Sequence, residues 1–142
     1  SLVLHLYWPQ LRIGRPPLEG VTAEEYLAVE AVLAQAFAAL ERARPSRADG
    51  ALVLDELRNA IELVAILCSD ARARLRGDGA LASVPPGERA LLADRLRPVI
   101  AEHERLWLAR NRPGGLRESR AWLEHLLQCY ETGETDRTWG GP

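Results

Sequence analysis

The chain has 142 residues, 18 basic and 20 acidic, with 27% charged and 47% hydrophobic residues and a net charge of −2. That balance suits a globular domain and lacks the basic surplus with which a protein grips nucleic acid or an anionic membrane. A chain of this size buries roughly 68–70% of its unfolded surface, enough for a core without disulfide or metal staples.

The first 21 residues differ from the rest. Leu2–Trp8 is apolar and partly alternating, and Pro9, Gly14, Pro16, Pro17 and Gly20 then forbid a helix. The expectation is an extended arm, with at most one short strand, lying over the helices or pairing with a neighbour, since an isolated strand cannot pair with itself. No positive n-region precedes the short apolar run, so it does not read as a signal peptide. The chain begins at Ser1 rather than Met, which fits a piece of a longer polypeptide.

Thr22-Ala-Glu-Glu25 has the form of a capping box and starts the first expected helix, which runs to about Arg42. Tyr26, Val29, Leu33, Phe37 and Leu40 fall at helical spacing along it. Pro45, Ser46, Asp49 and Gly50 make a loop. A second helix is expected over 51–76, with Leu54, Leu57, Ile61, Val64, Leu67 and Cys68 on its apolar face and Gly77 as the left-handed residue after its end. Pro85 and Pro86 suit the first turn of a third helix, running to about Asn111, with Pro98 expected to kink it. A fourth spans about 116–131, turning Trp122, Leu123, Leu126, Leu127 and Tyr130 inward until Gly133 ends it. Residues 134–142 read as a flexible tail. The expected architecture is therefore an all-α antiparallel four-helix bundle over 22–133 with an extended N-terminal arm.

Catalytic signatures are missing. A di-iron bundle needs Glu-x-x-His on two helices, and none of His5, His103 and His125 has a Glu three residues before it. No GxSxG, GxGxxG or P-loop pattern occurs. Cys68 and Cys129 lack CxxC spacing and read as small buried hydrophobes. No metal and no cofactor is expected, and no apolar run reaches the ~18 residues of a membrane-spanning helix. His103 lies on the apolar seam of the third helix, where a hydrogen-bonded core or interface histidine is expected. Asp55, Arg58, Asn59 and Glu62 share one face of the second helix, with Ser69 and Asp70 further on. This stripe reads as a solvated face, or else as a contact surface centred on Arg58 and Asn59.

All 18 basic residues are arginine, as codon usage in a GC-rich bacterial genome would produce. Three of them crowd residues 106–119, LWLARNRPGGLRES. Asn111 can take a left-handed cap, Pro113 cannot continue a helix, and Gly114-Gly115 allow a sharp reversal. A helix corner explains most of this stretch. The clustering of Trp107, Arg110, Asn111 and Arg112 would also suit docking, because Trp and Arg are favoured anchors at interfaces.

The segment Glu102–Ser119, with its R-N-R-P-G-G-L-x-x-S core, resembles the helical region that follows the catalytic barrel in bacterial family 20 glycoside hydrolases, the β-N-acetylhexosaminidase class. Glu56–Leu63 is similar to the same region but less distinctive. The resemblance implies a non-catalytic C-terminal accessory module that packs on the catalytic barrel of its own parent polypeptide or mediates dimerisation. That family's adjacent Asp-Glu pair stands at a barrel strand end, and Asp55-Glu56 here lies in a helix start, so no catalytic residue carries over. One alternative is a free-standing homodimer whose N-terminal arms pair across the two-fold. A weaker alternative is an arginine-lined pocket for a carboxylate or phosphate.

Overall fold

A computed structural model describes residues 20–111 and 113–134. They form four helices: α1 (Ala23–Arg42), α2 (Gly50–Leu75), α3 (Pro86–Arg110) and α4 (Leu116–Thr132), with a short 3-10 turn at Leu81–Ser83. The expected strand, nearly all of the arm, Arg112 and the tail beyond Glu134 lie outside the described residues. Among those described, no helix is long and apolar enough to cross a membrane.

Local chemistry sets the helix ends. The Thr22 hydroxyl accepts the Glu25 N–H at 3.3 Å, and the Glu25 carboxylate accepts the Thr22 N–H at 2.7 Å, which completes the capping box. Pro86 opens α3, where a missing N–H costs nothing. The helix then runs unbroken through Pro98. One expectation fails after α2. Gly77 is not left-handed; Gly79 takes that conformation at φ +86°, and its N–H reaches the Arg74 carbonyl at 3.1 Å. Gly77 is instead a point of close approach, because any side chain there would collide with Ser83.

Ion pairs between helices report their directions. Glu30 and Glu41 of α1 meet Arg72 and Arg58 of α2. Asp55 and Glu62 of α2 meet Arg105 and Arg95 of α3, and Glu104 of α3 and Glu131 of α4 meet Arg120 and Arg97 respectively. Each sequential pair is antiparallel. Such pairs are mostly half-exposed and individually weak in water, so they fix register more than stability.

Burial makes the stability. Ile66, Leu67, Leu92, Leu96, Val99, Leu123, Leu126 and Tyr130 belong to the main core shared by α2, α3 and α4. A second, smaller core joins Tyr26 of α1 to Cys68 and Ala71 of α2. Extensive packing follows chain order, α1 on α2, α2 on α3 and α3 on α4. The architecture is an all-α antiparallel bundle in which α2 and α3 are central and α1 flanks α2.

That arrangement corrects two expectations. Leu57 and Phe37, expected on apolar faces, are 45% and 42% exposed. Asp70, read as part of a solvated stripe, is buried at 1% exposure. Its stretch of α2 is enclosed by α1 on one side and by α3 and α4 on the other. Asp70 accepts two hydrogen bonds from Arg74, both 2.8 Å. Burial disfavours the Arg74 guanidinium, but the charge and hydrogen bonds of Asp70 more than offset this and its pKa is raised.

Candidate functional site

Arg58 and Asn59 line a groove of about 280 Å³, together with Phe37 of α1, Asp55 and Glu62 of α2, and Pro98, Val99 and Glu102 of α3. The polar stripe of α2 is its floor, and α1 and α3 are its walls. Helical spacing brings the floor residues together, since positions three and four apart share a face. The wall residues come from helices that only the tertiary fold places there.

The charged groups of the groove are already occupied. Arg58 reaches Glu41 at 3.2 Å and Asp55 at 3.1 Å. Arg105 binds both Asp55 and Glu102, and Arg95 binds Glu62 at 3.0 Å. The hydrogen bonds from Arg105 hold the Glu102 carboxyl below its ordinary range. Glu102 is therefore matched to ion pairing, whereas a general acid needs a pKa near the working pH. Ser69 stands between the walls at the far end, its hydroxyl 2.9 Å from the Ala65 carbonyl of its own helix and 3.3 Å from the Glu30 carboxylate of α1, and it accepts from Arg95 of α3 at 3.2 Å. Asn59 alone among the polar lining groups makes no side-chain hydrogen bond within the described residues.

The second expected cluster is a corner. Trp107 is half-buried, with its ring 6.0 Å from that of His103 and tilted by 55°. It lies over Gly115, where an added Cβ would stand 3.3 Å from the indole, and Gly115 itself is left-handed at φ +84°. Asn111 does not take the expected left-handed cap. It is extended (φ −121°, ψ 162°) and its N–H donates to the Trp107 carbonyl at 2.7 Å. One left-handed residue is enough to reverse the chain, and Gly115 adopts it without a Cβ penalty.

Arg110 points away from that corner. It binds Glu56 and also Asp49, at 3.4 Å, tying the end of α3 to the start of α2. Trp107 and Arg110 therefore serve different faces, and neither lines the groove. Arg112 is outside the described residues. Arg58 and Arg110 each face two carboxylates.

His103 fulfils the expectation of a hydrogen-bonded histidine, its Nε2 standing 2.8 Å from the Ser119 hydroxyl of α4. Burial, with the nearby Arg120 charge, lowers its pKa. A histidine with a depressed folded-state pKa contributes stability above its unfolded value, about 6.5, and loses it as pH falls through the folded value. Wild-type stability, measured by urea unfolding between pH 7.5 and 5, is therefore expected to fall with acidification. His103→Gln is expected to flatten that decline. An unchanged slope would remove His103 as its source.

One arrangement escaped the sequence reading. His125 and Cys129 are four residues apart on α4, with Cys129 Sγ 3.6 Å from His125 Nε2. The spacing His-x-x-x-Cys was the available signal. Both residues are buried, at 6% and 2% exposure, which suits packing rather than attack on a substrate. The Cys68 thiol is pushed up to about 11, first by burial and then by the Glu30 carboxylate, so it is a poor nucleophile. Among the described residues no three His, Cys, Asp or Glu side chains gather as a metal site.

Comparison of the chain with family models, curated proteins and solved structures finds no match.

Proposed function

We propose that this chain is a non-catalytic helical module that works by docking on another protein surface. One observation carries the reading. Between Glu30 and Glu41, α1 has no charged residue, and among the described residues its side away from α2 is left open, with Leu27 47% and Val32 62% exposed. Apolar side chains scattered singly on a surface need no explanation, but a continuous uncharged helix face marks an interaction site.

A narrower form, an accessory domain packing on the barrel of a family 20 glycosidase, is supported by the resemblance of Glu102–Ser119. Two measurements test the two levels separately. A photo-crosslinking residue placed at Gln35 is expected to form a protein adduct in cells; no adduct with any protein would end the docking reading. For the narrower form, this chain and the longest natural reading frame containing it are assayed on p-nitrophenyl N-acetyl-β-glucosaminide. Cleavage by the longer form alone is expected. Inactivity of both would end the glycosidase form, and cleavage by this chain alone would end the non-catalytic reading.

A further inference from the structure

We infer that the occupant of the open α1 face is a second copy of the chain, with the two α1 helices antiparallel across a two-fold axis. This rests on the docking reading above. The geometry begins with the helix wheel: Tyr26, Val29 and Leu33 join the smaller core with α2. The opposite ridge is Ala31, Gln35 and Ala38, all exposed, with Leu27 beside it. Small side chains let two helix axes approach within about 8–10 Å.

The ends of this ridge choose the partner. Glu24 stands at its start and Arg42 at its end, acid in the first turn and base in the last. Arg42 is the one arginine among the described residues with no hydrogen bond or ion pair, and Glu24 makes none either. Every other described arginine has at least one partner. Two unpaired opposite charges at opposite ends of an uncharged face are complementary to the same face turned end for end. In that register Glu24 of each copy meets Arg42 of the other, and Ala31 faces Gln35. An isologous contact of this kind closes as a dimer.

A parallel arrangement would place Glu24 against Glu24 and Arg42 against Arg42. A partner with an unrelated surface would need a matching acid and base about 27 Å apart, eighteen residues along a helix. The self-complementary pairing needs nothing beyond this chain. One pair of helices is small against the 1,200 Å² or so at the lower end of stable interfaces, so the dimer is expected to dissociate on dilution.

The test is sedimentation equilibrium of the full chain. Glu24→Arg and Arg42→Glu are each expected to weaken dimerisation about tenfold, because each turns two attractive contacts repulsive. The double variant, E24R with R42E, is expected to return to within about threefold of wild type. Ala31→Glu puts like charges beside the axis and should leave a monomer; circular dichroism checks that each variant stays folded. A folded wild-type chain that is monomeric at about 1 mM, or a dimer indifferent to both single swaps, overturns the inference. So does a double swap no tighter than its singles. If the chain is monomeric yet Gln35 still captures a different protein, only the second copy is wrong; if it captures none, the docking reading falls as well.

Discussion

Arg74→Met is expected to lower the unfolding free energy by about 3–5 kcal/mol at pH 7, measured by urea or thermal denaturation. The magnitude follows from what is left behind. Asp70 is 1% exposed and its two close partners are both guanidinium nitrogens of Arg74, whose side chain is 11% exposed. Removing the arginine strands an ionised carboxylate where water cannot solvate it, and methionine offers it no donor. Domains of this kind have about 5–15 kcal/mol in all, so the variant should sit close to its unfolding threshold. A neutral amide in place of the stranded carboxylate would remove the buried charge. Adding Asp70→Asn should recover much of the loss by the same argument. A deficit under about 1 kcal/mol, or one that Asp70→Asn does not reduce, would show that the pair is better solvated than its burial implies.

Asp70 also marks where the sequence stops being informative. Its spacing along α2 resembles that of a solvated polar residue, and nothing within one helix distinguishes a helix packed on one side from a helix packed on two. Signals written in local chemistry were legible: the Thr22–Glu25 box, Pro86 in a first turn and Gly133 after a last one placed the helix ends within about a residue. The site was legible by half. Arg58 and Asn59 share a face because helical periodicity says so, and that face is the floor of the groove. Phe37, Pro98, Val99 and Glu102 join them only through the choice of neighbouring helices, and periodicity carries no information about that choice. Trp107 and Arg110 take different neighbours for a related reason. Positions three apart are neighbours on a helix, yet at a helix corner one can face α4 and the other α2.

Tyr26→Ala is expected to cost about 3–5 kcal/mol, comparable with other large truncations of buried aromatic residues. Its effect should also be uneven along the chain. Tyr26 is 1% exposed and sits at the centre of the smaller core, against Cys68 and Ala71. Its hydroxyl has no hydrogen-bond partner among the described residues, so the ring accounts for the stabilisation; Tyr26→Phe should be neutral or slightly stabilising, by up to about 1 kcal/mol. Because α1 packs extensively on α2 alone, losing the ring leaves it held by lesser contacts and by surface ion pairs such as Glu30–Arg72 and Arg58–Glu41. Hydrogen exchange should then accelerate first at the amides of Ala23–Arg42, while the buried amides of α2, α3 and α4 keep their protection through the separate main core. Release of α1 would also take Phe37 from the wall of the groove and remove the face proposed to dimerise, so partner binding should fail before the bundle melts. Equal loss of protection in all four helices would instead mean that the two cores unfold as one unit, and that α1 is no more separable than the helices it flanks.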